Sequence, residues 1–363
     1  MWYIIFIVLT FLIYSFRPEA EAIRIKRNLQ FWIASFPFII LWTLFIGGQN
    51  NVGADYPTYL YIFEGHMTDG FITNEWIFSN FIIICNNLGF YGQSVFFIIA
   101  FITCIFLLVF CKKVTCFEYM PLFLFLFITI PGTFNNQMNG IRQYIAVYIM
   151  SVCYLTYYEK KYLLSAILLF IAMHIHNTAL LAAVIYIAMN FFINRYEKKW
   201  DNKKILYIVI IASTVICFTF DAVPFIQEYL KYIPFYSDSY WVHQEFLSND
   251  SANKLRKVID APFYFYCVYL LDKIKLTQHQ RFLYIAGILA FCIKICFLGV
   301  VFINRMGQYF ELIMCVPIFM AIIYMKRTHN DFRYLWIAFF FLYYFVKVVV
   351  FPVGEYSYNS IFF

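Results

Sequence analysis

The chain alternates long apolar runs with short polar breaks, and the runs have no fixed two-residue or seven-residue period. A membrane-crossing helix needs about 20 mostly apolar residues, because the hydrocarbon layer is about 30 Å thick. Twelve segments approach that pattern: 1–16, 29–48, 91–111, 119–131, 141–158, 162–174, 178–193, 205–220, 258–271, 282–301, 309–325 and 334–351. The sequence therefore predicts an all-α polytopic membrane bundle of about 12 transmembrane helices, a single integral domain over 1–363. Outer segments 49–90 and 221–259 are expected to cover its working face. The first run lacks a charged leader and a small-residue cleavage site, so it reads as a retained helix.

Loop charge gives the orientation. Cytoplasmic loops collect Lys and Arg, and alternate loops here hold 19 of the 27 basic residues, beginning with Arg17, Arg24, Lys26 and Arg27. Both termini are then expected on the non-cytoplasmic side of a cytoplasmic (inner) membrane. Making the apolar stretch 74–90 cross would invert every later loop. It reads instead as an amphipathic or re-entrant helix on the outer surface.

Composition supports a lipid-embedded chain: 63% of residues are hydrophobic and only 13% charged, where soluble domains run near half and a quarter. The net charge of +7 is accounted for by topology rather than by nucleic-acid binding. The 10 Cys form no CxxC and no zinc-ligand spacing, and read as small buried apolar groups. There is no phosphate-binding Walker loop, dinucleotide glycine fingerprint, HExxH or GxSxG. No metal or cofactor is expected.

Exceptions to the charge rule carry the candidate chemistry. Arg142 opens an apolar run in GIRQYIAVYIM, and Arg305 sits in FINRMGQYF; both fall on the side where cations are disfavoured. A guanidinium fork matches phosphate oxygens, so one reading is a pyrophosphate clamp. The other is snorkelling to headgroups, or pairing with Asp55 or Glu75. His174 and His176, in AMHIHNTALL, lie at a helix junction, where an imidazole serves as base, as phosphate donor or as a plain helix cap. Asp55, in NVGADYPTYLYIF, is either a base for a sugar hydroxyl or a turn residue after Gly53. Glu75 begins the outer helix and suits its positive end. Lys294 and Lys347 interrupt apolar helices and mark either a lipid-phosphate path or internal pairing. The basic group Lys254, Arg256 and Lys257 precedes a span and suits an anionic headgroup or plain solvation.

The segments VGADYPTYLYIFEG, NEWIF, GIRQYIAVYIM, IHNTALL and NRMGQYF, in that order, resemble the EpsG-like branch of the Wzy-type polysaccharide polymerases. The resemblance implies a metal-independent membrane glycosyltransferase that joins oligosaccharide repeat units carried on undecaprenyl pyrophosphate at the outer leaflet. It implies that Arg142, Arg305, Asp55 and His176 are catalytic. Tyr56, Glu75, Gln143, His174, Asn304, Tyr309 and Lys294 would then contact substrate. Membrane lipid, a lipid-linked oligosaccharide and a chain-length regulator protein are the implied partners. A lipid-oligosaccharide flippase is the alternative, although the polar groups cluster at one face and show no internal repeat. A membrane acyltransferase would want its histidine on the cytoplasmic side.

Overall fold

A computed structural model describes residues 1–15, 27–66, 75–130, 132–195, 203–220, 228–229, 232, 258–296 and 301–362. Among these residues the chain is helical and has no strands; its one β-bridge pairs Gln49 with Ser360. The helices are α1 (Trp2–Ser15), α2 (Arg27–Gly47), α3 (Tyr56–Phe63), α4 (Trp76–Asn87), α5 (Gln93–Val114), α6 (Met120–Thr129), α7 (Thr133–Asn136) and α8 (Ile141–Tyr158). They continue as α9 (Tyr162–Ile175), α10 (Thr178–Arg195), α11 (Lys203–Thr219), α12 (Ala261–Leu270), α13 (Gln278–Cys296), α14 (Val301–Gln308), α15 (Glu311–Arg327) and α16 (Phe332–Phe345).

A helix stands in each of the twelve expected segments, while twelve crossings are not confirmed. Among the described residues, five helical stretches are long and apolar enough to cross: Leu29–Gly47, Gln93–Val114, Thr178–Arg195, Gln278–Cys296 and Phe332–Val350. Four apolar helices are shorter, among them Trp2–Ser15 and Ala261–Leu270. At 1.5 Å per residue, a helix of 10 residues such as α12 spans only about half of the hydrocarbon layer. Helix α4 has 12 residues, or about 18 Å, which fits the expectation that 74–90 does not cross.

The described chain divides into two compact units, Met1–Leu180 with Phe332–Phe363, and Leu181–Asp331. Each is built on one helix buried along nearly its whole length, the pattern of a helix packed inside a bundle. In the first unit this is α8, buried from Gln143 to Thr156 and packed between α5 and α9. Its tyrosines make it look polar on a hydropathy scale, yet Tyr144, Tyr148 and Tyr154 are all buried, with Tyr148 donating to Gln137 Oε1 at 3.0 Å. Around it α2 packs on α5, and α1 on α2 and α6. These contacts are largely aromatic: Phe6, Phe38, Trp42 and Phe134 form one cluster of ring contacts.

In the second unit the buried helix is α15, covered from Glu311 to Ile322 and packed on α12 and α13. Tyr264 stacks on Phe291 at 3.9 Å, and its hydroxyl donates to the Met314 carbonyl at 2.9 Å. Pro317 interrupts α15 opposite Gly287, where an added Cβ would stand 2.5 Å from the proline ring. Only glycine lets α13 and α15 approach that closely.

The segment after α16 folds back onto the first unit. Tyr358 stacks on Phe45 at 4.2 Å and donates to its carbonyl at 2.7 Å. Ser360 Oγ and the Ile361 amide both donate to the Gly48 carbonyl. Eight of the cysteines are buried and all ten are free thiols, as their apolar settings lead one to expect.

Candidate active site

Arg142 is the second residue of α8, so its charge stands at the positive end of a buried helix. That position favours anions and opposes a cation. The opposing field is answered by Glu75, whose Oε2 lies 2.6 Å from Arg142 Nη1. Glu75 precedes α4 but makes no capping bond to it. Its other oxygen accepts the Asn177 backbone N–H at 3.2 Å. One carboxylate thus ties together the starts of α4 and α8 and the turn between α9 and α10. Burial pushes the Glu75 carboxyl above its ordinary range, while Arg142 and the Asn177 amide pull it back only in part.

Asp55 leads into α3, and its carboxylate makes no cap bond to that helix. The loop before it is pinned from several sides. Its own N–H donates to Asn139 Oδ1 at 2.9 Å. Gly53, at φ +78°, lies so close to Asn139 that a Cβ would come within 2.6 Å of that same oxygen. Gln93 Nε2 donates to the carbonyls of Gly47 and Gln49, and Gln93 Oε1 accepts the Tyr56 hydroxyl at 2.8 Å. Tyr56 also stacks on Phe96 at 5.0 Å, so the structure gives this expected substrate contact a scaffold bond. Tyr59, one turn on, is buried against α8. Burial raises its phenol, Arg142 lowers it through charge and a backbone hydrogen bond, and the carboxylates of Asp55 and Glu75 act on it as well.

Of the other expected residues in this unit, His176 shares a hydrogen bond of 2.5 Å with Thr178, the first residue of α10. His174 packs its ring on Phe170 and Trp76, at 4.5 and 5.2 Å. Gln143 is buried beside Arg142. The first unit therefore gathers Asp55, Glu75, Arg142 and His176 within one set of connected elements.

The second unit holds the rest. Arg305 is half-buried on α14, with Asn304 the residue before it. Tyr309 is fully buried. Lys294 makes the internal pairing that was one of its two readings: it is 5% exposed and ion-paired with Glu311, itself 1% exposed. A lone amine in so apolar a setting would be costly, and the nearby acid neutralises it. Lys347, which belongs to the first unit, lies over the rings of Tyr343 and Tyr356. The basic group Lys254, Arg256 and Lys257 falls outside the described residues.

Three participants escaped the sequence reading. Tyr59 and Asn139 sit inside quoted or neighbouring motifs but carry no charge to draw notice. Glu311, a single acid at the head of an apolar helix, was a visible signal.

The model of the EpsG family matches residues 31–360. The chain belongs to the EpsG family. That match spans both units, and it includes every site residue named above. No curated protein and no solved structure matches the chain. EpsG membership, together with the apolar crossing helices, makes this a multi-pass membrane protein related to the Wzy-type polysaccharide polymerases.

Proposed function

We propose that this EpsG protein is a glycosyltransferase that polymerises oligosaccharide repeat units carried on undecaprenyl pyrophosphate. In this reading it works at the outer leaflet of the bacterial cytoplasmic membrane, without a metal and with inversion at the anomeric carbon. The observation that carries it is Arg142 at the positive end of buried α8, held by Glu75. A cation and a helix N-terminus aimed the same way suit a diphosphate better than any neutral group.

The acceptor hydroxyl attacks the anomeric carbon from the face opposite the diphosphate. As the new C–O bond forms, the bond to the diphosphate breaks and its electron pair leaves with the phosphate oxygen. Arg142 stabilises that developing charge from a position fixed before reaction. The hydroxyl proton passes to Asp55, whose carboxylate is not committed to capping its own helix. Glu75 holds the guanidinium in place through its Nη1 nitrogen.

The test is to supply purified protein in lipid with a synthetic lipid-diphosphate repeat unit and to separate the products by size. A ladder that survives chelator and is lost in Arg142→Ala supports the reading; Arg305→Ala measures the second arginine. Transport of the lipid across vesicles with no ladder would overturn it in favour of a flippase.

A further inference from the structure

Two groups must be spaced correctly for the proposed reaction, the carboxylate of Asp55 and the guanidinium of Arg142. They lie on different helices, far apart in sequence. Neither is placed by its own helix: Asp55 makes no cap bond to α3, and Arg142 stands at the end of α8 that repels it. The spacing must therefore come from what joins the two backbones.

We infer that Asn139 is the positioning residue that sets the Asp55 carboxylate against Arg142. The inference rests on the roles given above to those two residues. Asn139 lies three residues before Arg142, in the turn that starts α8. In that turn its carbonyl accepts the Ile141 N–H at 3.0 Å and its amide donates to the Asn136 carbonyl at 3.0 Å. From there its side-chain oxygen takes the Asp55 N–H at 2.9 Å. The same side chain is the surface on which Gly53 rests, since any Cβ at 53 would overlap Asn139 Oδ1, Cβ and Cγ. One side chain thus fixes both the direction of the Asp55 peptide and its distance from the head of α8. Tyr59 adds a second link between the helices, because its buried phenol meets the Arg142 backbone amide.

Asparagine suits the task because its amide oxygen is a fixed acceptor with no charge to repel the neighbouring carboxylate. Losing the bond would release the loop without removing either reacting group. A shift of about 1 Å in such a group costs about 100-fold in rate.

The experiment compares Asn139→Leu, Asn139→Asp and Gly53→Ala in the ladder assay, with the thermal midpoint measured in detergent alongside. Asn139→Leu should lower kcat by about 30–100-fold while the KM for the lipid-linked donor moves less than about twofold. Asn139→Asp keeps an acceptor oxygen but adds a charge beside Asp55, so it should recover part of the rate lost in Asn139→Leu. Gly53→Ala, which forces the loop off Asn139, should reproduce the kcat loss even if the leucine variant is poorly folded. Wild-type kcat in folded Asn139→Leu would overturn the inference. So would a loss shared equally by kcat, KM and thermal midpoint that Asn139→Asp does not recover. A wild-type protein that makes no ladder sinks the polymerase reading itself. An active Asp55→Asn variant refutes the role of Asp55, so either failure can be told from a failure of Asn139.

Discussion

Each unit's buried helix begins with an ion pair, and the two pairs are built in opposite senses. At the head of α15 the helix residue is the acid, Glu311, which suits the positive helix end and is closed in with Lys294, their side chains 1% and 6% exposed. At the head of α8 the helix residue is the cation, Arg142, which the same field disfavours, and the pair is more open, with Arg142 24% and Glu75 11% exposed. The first arrangement encloses acid and cation together. In the second, a single carboxylate stands against both a guanidinium and a helix end. A closed pair reads as part of the core, and an open pair of this polarity reads as a place for an incoming anion.

The largest effect expected is from breaking the closed pair. Lys294→Ala leaves Glu311 buried without its cation and should cost about 3–5 kcal/mol, seen as loss of folded protein on size-exclusion chromatography. Replacing both partners, Lys294→Met with Glu311→Leu, should return stability close to wild type. If the double variant is as damaged as the single, the pair does more than fill the core.

Breaking the open pair should act on turnover instead of folding. Arg142→Ala should cut ladder synthesis by about 100–1000-fold with the thermal midpoint little changed, and a collapse of the midpoint would remove the contrast between the pairs. Glu75→Gln should be milder, about tenfold, because the guanidinium remains but loses its charged anchor.

The smallest effect is on pH dependence. The Glu75 carboxyl titrates above its ordinary range in the native state, chiefly through burial. Between its unfolded and native pKa the native state therefore holds more protons, and stability falls as pH rises through that window. The thermal midpoint of wild type should decline upward from the ordinary carboxylate range. Glu75→Gln should flatten that decline.

The sequence made Arg142 conspicuous because one cation on a cation-poor side is a local anomaly. It named Glu75 as one of two possible partners, since 66 residues of intervening chain leave the choice to folding. Lys294 was noticed, but its partner stands on the next long helix and the pairing exists only once α13 and α15 pack. Tyr56 illustrates the converse: its hydroxyl bonds Gln93, a link that no local sequence pattern marks. Helix positions followed from apolar runs. Their capacity to cross is a separate matter, because several of those runs fold as apolar helices of only 10–17 residues.

The fold-back of the last residues bears on how the protein is handled. Ser360 and Ile361 hold the Gly48 carbonyl, and the Asn359 carbonyl holds the Asn50 amide, five residues before Asp55. An affinity tag or fluorescent fusion joined just after Phe363 would pull on that same short stretch of backbone. Such a fusion would lower turnover without touching any reacting group, and a cleavable tag removed before assay would distinguish a tethering artefact from true inactivity.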